Sequence, residues 1–210
     1  MKLSNIDLIK LFNENNVVQN YREIKWLVDI VQKIIEDNTK QNKPSTIIEI
    51  GVQSGGTMKI WEQLLAKSGK QDNLKDNILI GIDLGNTIAW DITKSDIYVQ
   101  MIIGNSHDIE TLRLVKRVLF DEFLFERKTL RQPDFVYIDG EHTPDAVKRD
   151  FNMYGKLVLD GGGIGFHDYY DVKQFLDILP RNKLEIFIDK PPFEPIGPAS
   201  GIGTAFYRKE

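Results

Sequence analysis

The chain has 210 residues, 41% of them hydrophobic, which suits one α/β domain with some elaboration around a buried sheet. With 31 acids against 27 bases the net charge is −4, so no long-range field draws nucleic acid or an anionic membrane to the surface, and small substrates are the expected partners. The absence of cysteine excludes disulfides, thiolate metal sites and cysteine nucleophiles together, and it points to a reducing compartment, by default the cytoplasm.

Residues 1–16 mix Lys2, Asp7, Lys10 and Glu14 among apolar side chains, so they read neither as a signal peptide nor as a membrane span, and no other apolar run is long enough to span. Residues 4–13 and 21–37 repeat apolar side chains at helical spacing. They are expected to form an N-terminal helical cap, residues 1–40, that packs on a sheet or covers its ligand, while residues 41–210 form one globular unit. The polar stretch 38–45, with Pro44 inside it, ends helix and delivers the chain to a first strand, Thr46–Ile50. A helix over 57–65 follows, then a polar surface insertion over 68–77. Strands come next at 78–82 and 97–103, a charged helix at 109–125, a strand at Phe135–Ile138, a helix at 144–157 and a strand at Gly163–Phe166. This alternation predicts a parallel sheet. Residues 184–188 and 202–207 flank a loop rich in Pro and Gly with no helix-length segment between them, so these two strands must pair antiparallel. The predicted fold is therefore an α/β three-layer sandwich on a mostly parallel seven-stranded sheet that ends in an antiparallel hairpin.

The first strand runs into Glu49-Ile50-Gly51-Val52-Gln53-Ser54-Gly55-Gly56-Thr57, a glycine-rich turn beyond the carboxyl end of a strand, where open α/β sheets bind ligands. A dinucleotide fingerprint needs a second glycine where Gln53 stands, and no Lys followed by Ser or Thr closes a phosphate cradle. A phosphate-free adenosyl ligand fits better, although the glycines alone also suit a plain strand-to-helix turn. Glu49 adds weight, because a carboxylate in an apolar strand is costly to bury without a partner, and an amino-acid ammonium would supply one. The second strand ends in Asp83, placed to accept hydrogen bonds from ribose hydroxyls, though an acid at a strand end is also a common turn former. After the third strand, Asn105 and Ser106 could read an adenine amino group or cap the next helix.

Asp139-Gly140-Glu141-His142 after the fourth strand and His167-Asp168 after the fifth bring two of the chain's three histidines, each beside acids, to the same edge of the sheet. Two chemistries could use the group. Asp139 and Asp168 could hold a divalent ion that acidifies a substrate hydroxyl while His142 or His167 removes its proton. Alternatively, two histidines and one carboxylate could form the facial triad of a non-haem iron oxygenase. A non-catalytic adenosyl-binding protein of the same fold is the remaining alternative.

Taken in order, Ile47-Ile48-Glu49-Ile50-Gly51 with Gly55-Gly56-Thr57, then Gly81-Ile82-Asp83, then the run from Asp134 to His142, then Gly161-Gly162-Gly163 to Phe166-His167-Asp168, resemble a class I S-adenosylmethionine-dependent methyltransferase of Rossmann-like fold over residues 46–170. Within that superfamily the chain is most similar to small-molecule O-methyltransferases related to the cephalosporin-hydroxylase-like and macrolide-sugar methyltransferases. In those, a strand-four aspartate and an acidic pair after strand five hold magnesium; Asp139 and Asp168 match, while His167 stands where an acid or another oxygen ligand is common. The resemblance implies S-adenosylmethionine as cofactor, with Glu49, Gly51 and Gly55 beneath its methionine part, Asp83 on the ribose, Asn105 or Ser106 near adenine, and Asp139 beside it. With the cluster read beside this resemblance, magnesium or manganese is expected at Asp139, His167 and Asp168, and His142, His167 and Asp139 are the expected catalytic group. The expected partner is a small-molecule acceptor, a sugar or natural-product hydroxyl, with no nucleic acid or membrane and with self-association left open. Tyr169, Phe193 and Pro195, with the loop 191–198, are expected to line the acceptor pocket.

Overall fold

Seven strands form one sheet in the computed structural model, which describes residues 3–68, 71–120, 131–189 and 203–210. They are β1 (Thr46–Ile50), β2 (Ile78–Asp83), β3 (Tyr98–Ile103), β4 (Phe135–Ile138), β5 (Gly163–Phe166), β6 (Leu184–Phe187) and β7 (Thr204–Arg208). Their order across the sheet is β3-β2-β1-β4-β5-β7-β6. The pairs from β3 to β5 are parallel, and β7 runs antiparallel to both β5 and β6. The expected mostly parallel sheet with an antiparallel end is therefore present. From β1 the chain builds outward to β2 and β3, then returns to place β4 on the other side of β1. The crevice for a ligand in such sheets opens at this reversal, beyond the carboxyl ends of β1 and β4.

The described helices are α1 (Asn5–Glu14), α2 (Tyr21–Lys40), α3 (Gly56–Ser68), α4 (Ile109–Leu119), α5 (Pro144–Tyr154) and α6 (Tyr169–Leu176). Local sequence sets their starts. Ser4 and Asp7 form a reciprocal capping box on α1, Asn20 caps α2 through the amides of Arg22 and Glu23, and Thr143 caps α5 just before Pro144. Strand β1 is buried at all five positions, as a strand covered on both faces must be. Alternation along the strands then sorts the core into two layers. Ile47, Leu79, Phe135 and Tyr137 face α2 and α3, whereas Ile48, Ile80, Val136 and Ile164 face α4, α5 and α6. Trp61 of α3 is fully buried, edge-on to Phe135 at 5.4 Å and Tyr137 at 5.8 Å. Truncating so large a side chain costs about 3–5 kcal/mol.

Several limits shift by a few residues, and two elements differ more from the sequence expectation. The helix expected at 109–125 is described to Leu119, and residues 121–130 lie outside the described residues. Helix α6 had no counterpart in the sequence reading, although Tyr169, Val172, Phe175 and Leu176 are buried at helical spacing.

Candidate active site

The glycine-rich turn and β4 are pressed together at the reversal point. Gly51 has φ +85°, and a Cβ there would lie 2.0 Å from the Asp139 carbonyl oxygen, so only glycine lets the two strand exits touch. The turn is then tied to β2. The amides of Val52 and Gln53 both donate to Asp83 Oδ2 at 2.8 Å, and Gly85 N donates to Asp83 Oδ1 at 3.3 Å. Asp83 thus organises the turn and also lines a cavity of about 370 Å³ bounded by Gly51, Gln53, Leu84, Asn105, Ser106 and Asp139. Asn105 does not cap α4. Its Oδ1 accepts from His107 N at 2.9 Å, the N-cap is Asp108, and Ser106 contributes its carbonyl to the Tyr154 hydroxyl at 2.8 Å. Gly55 lies farther back, its carbonyl accepting from Trp90 Nε1 at 3.0 Å.

Glu49 sits behind the turn, not in the cavity. It shares a face of the sheet with its register partner Tyr137, is 1% exposed, and its Oε2 has no hydrogen-bond partner. Burial pushes its carboxyl well above the usual range, and the charges of Asp139 and Asp83 push the same way. The three acids interact because strand alternation sends all three toward the same face.

The acid and histidine cluster converges as the sequence placed it. His142 Nδ1 pairs with Asp168 Oδ2, and His142 Nε2 lies 3.7 Å from Asp139 Oδ1. His167 Nδ1 lies 3.1 Å from Asp139 Oδ1 and 3.0 Å from Asp168 Oδ1, close enough for ion pairing though neither contact has hydrogen-bond alignment. Burial alone would lower the His167 pKa, but the two carboxylates outweigh it and hold it up at about 10. His142 is raised chiefly by its bond to Asp168. Burial would raise Asp168, yet the two imidazoles hold it below the usual carboxylate range. Asp168 has φ +51° at the start of α6 and makes no capping bond, which leaves both oxygens to the imidazoles. One ligand atom from each of Asp139, His142 and Asp168 lies within 4.8 Å of the others, a spacing that one cation can bridge. His167, the imidazole expected as third ligand, stands against the same two carboxylates.

Residues the sequence reading passed over complete the site. Gln19, in the turn between α1 and α2, donates its amide to Asp139 Oδ2 and accepts from Thr57 Oγ1 at 2.7 Å. The same turn lies against the glycine loop, where a Cβ on Gly56 would be 2.6 Å from the Asn15 carbonyl. The third histidine, His107, stands 3.5 Å from Asp150, whose carboxyl is pushed up by burial. A larger cavity of about 730 Å³ shares His107 and Glu141 with the first, but none of Asp139, His142, His167 and Asp168 lines it. Tyr169 corrects an expectation, because it is 5% exposed within the core and forms no pocket wall. Phe193, Pro195 and the loop 191–198 lie outside the described residues.

A family model described as a methyltransferase domain matches residues 48–169, and the chain belongs to that family. Uncharacterized protein R132 of Acanthamoeba polyphaga mimivirus is 30% identical over 161 residues, covering 75% of this chain and 67% of its own. Among solved structures, the MycE methyltransferase of the mycinamycin biosynthetic pathway, in complex with Mg and SAH, is 17% identical with a TM-score of 0.56, over 97% of this chain and 54% of MycE. The chain thus spans about half of MycE, which has also been solved with mycinamycin VI bound. TomG, an O-methyltransferase of Streptomyces achromogenes solved with SAM, is 15% identical with a TM-score of 0.53, over 98% of this chain and 89% of TomG. At these identities the structural likeness establishes the fold. No helix among the described residues is long and apolar enough to cross a membrane.

Proposed function

We propose that this methyltransferase binds S-adenosylmethionine at the carboxyl ends of β1 to β4 and transfers its methyl group to a hydroxyl of a small molecule, assisted by a divalent cation. The observation that carries the reading is the convergence of Asp139, His142, His167 and Asp168 beside the cavity that Gly51, Asp83, Asn105 and Ser106 line. The ligands seen in MycE and TomG support it.

The residues present fit an adenosyl ligand. Asp83 Oδ1 has only one long backbone bond and can accept from a ribose hydroxyl, and Asn105 and Ser106 stand where adenine would lie. Gly51 and Asp139 line the cavity where β1 and β4 end, while Glu49 stays buried behind that turn. Two carboxylates and an imidazole fit a divalent cation, so Asp139, Asp168 and His167 would hold it. When bound, S-adenosylmethionine supplies an electrophilic methyl on a sulfonium, and the cation lowers the pKa of a substrate hydroxyl.

His142 serves as the base. Its side chain is 45% exposed, so it can reach a substrate, and the Asp168 carboxylate on Nδ1 fixes the ring and stabilises the imidazolium. With the cofactor bound, the substrate hydroxyl would take its methyl group, and His142 Nε2 would accept the hydroxyl proton. Asp139 is held by Gln19 and lies 3.1 Å from His167 Nδ1. Residues 1–40 act as a cap in supplying Gln19, and residues 41–210 form the catalytic unit. A sugar or natural-product hydroxyl is the favoured acceptor, since a net charge of −4 favours no nucleic-acid polymer. The absence of cysteine favours the cytoplasm as its location.

Calorimetry with S-adenosylhomocysteine, followed by transfer assays on hydroxylated acceptors, tests the proposal. Saturable one-site heat on the folded protein is expected. Absence of heat and of any thermal shift at millimolar ligand would rule it out.

A further inference from the structure

Three carboxylate oxygens at this edge lie against imidazole nitrogen, and the fourth, Asp139 Oδ2, accepts from Gln19. His142 Nδ1 is against Asp168 Oδ2, and His167 Nδ1 is against both Asp139 Oδ1 and Asp168 Oδ1. Three neighbouring oxygen-bearing groups are engaged or buried elsewhere. Gln19 is spent on Asp139 and Thr57, Glu141 pairs with Thr143 Oγ1 at 3.1 Å, and Glu49 is buried behind the turn. Asp168 is 2% exposed, and its Oδ1 has no hydrogen-bond partner; both ring nitrogens of His167 are likewise buried without one. Buried polar atoms in this state call for an explanation, and an ion bound among them supplies one.

Donor chemistry then decides which ion. Magnesium is a hard cation that takes oxygen ligands in near-octahedral geometry and keeps several waters, so it gains little from imidazole. Iron(II), cobalt(II), nickel(II) and zinc(II) all accept imidazole together with carboxylate, and bind such mixed sites more tightly than earlier metals do. We infer that the Asp139, His142, His167 and Asp168 cluster is a mixed nitrogen and oxygen site that selects a late first-row transition metal over magnesium, the ion found with MycE. This rests on the reading that a cation occupies the site, and it goes further by making at least one imidazole a ligand.

The test uses the full chain, stripped by a chelator and titrated with cobalt(II), with visible absorption as the readout. The expected result is a saturable set of bands typical of nitrogen-ligated cobalt that survives roughly hundredfold excess magnesium and is displaced by near-stoichiometric zinc. At least one of His142→Ala and His167→Asn should alter the bands and weaken cobalt binding by about tenfold or more. Should His167→Asn fail to fold, the competition on the unaltered chain and the His142→Ala spectrum still decide. Loss of the bands to the same excess of magnesium would overturn the inference while leaving cation assistance intact, as would bands unchanged in both variants. If neither cobalt nor magnesium binds, the cation falls from the function as well. S-adenosylhomocysteine calorimetry on the same preparation reports separately whether the adenosyl site stands.

Discussion

The side-chain amide of Gln19 donates to the Asp139 carboxylate across 120 residues of sequence, fastening the turn between the first two helices to the exit of the fourth strand. Its other end accepts from Thr57, so one side chain bridges the glycine loop and the acid cluster. Gln19→Ala is expected to lower stability by about 1.5–3 kcal/mol, the usual worth of a hydrogen bond to a charged group. It should also weaken S-adenosylhomocysteine binding. Gln19→Glu sets a second negative charge against Asp139 and should do more harm. Urea unfolding and calorimetry check both; an Ala variant unchanged in both would mean that Gln19 organises nothing.

Two glycines with the same backbone angle separate strain from collision. Gly51 and Gly161 both have φ +85°, but a Cβ at Gly161 meets nothing within 4 Å, whereas at Gly51 it meets Asp139 and Gly140 backbone. Gly161→Ala should cost about 1–2 kcal/mol from left-handed strain alone. Gly51→Ala should cost several times more and abolish ligand binding. Equal unfolding midpoints for the two variants would contradict the close approach of β1 and β4.

Asp83 has two tasks, and graded substitution separates them. Asp83→Asn keeps one acceptor for the Val52 and Gln53 amides, so most stability should remain while S-adenosylhomocysteine affinity falls. Asp83→Ala leaves both amides without their acceptor and should lose about 1–3 kcal/mol of stability as well. Thermal unfolding and calorimetry on both variants read the difference. Full affinity in Asp83→Ala would remove this carboxylate from the ribose role.

Asp7 gives a defined pH dependence away from the site. Lys67 first, then Ser4, hold its carboxyl from 3.8 down to about 2, joining α1 to α3. A depressed folded-state pKa stabilises the fold above 3.8, and that contribution fades as pH falls through about 2. Asp7→Asn should therefore be less stable than the unaltered chain at pH 5 and indistinguishable from it near pH 2. A gap between the two that widened on acidification would reverse the sign and refute the pairing.

The sheet was legible because its strands are short apolar runs bounded by turn residues; β1, β4 and β5 fall at their expected limits. The acid and histidine cluster was legible for a related reason. Parallel strands deliver the residues after their carboxyl ends to one edge, so Asp139 and Asp168 had to meet once β4 and β5 were neighbours. Gln19 was not legible, since a polar side chain between two helices gives no sign of a partner on a distant strand. Helix α6 was hidden by its length of 8 residues and by the Pro and Gly beyond it, although the spacing of Tyr169, Val172 and Phe175 could have revealed it. That helix also takes Tyr169 into the core, which is why its assignment to an acceptor pocket failed. The double duty of Asp83 needed coordinates, because strand-end acids that bind ligands and those that close turns look alike in sequence.

The most direct test is a crystal structure of the chain with S-adenosylhomocysteine. The expected electron density runs from Gly51 past Asp83 to Asn105 and Ser106, with the sulfur facing open space beside Asp139, His142, His167 and Asp168. A ligand elsewhere on the molecule, or a sulfur sealed from that cluster, would contradict hydroxyl methylation at this site.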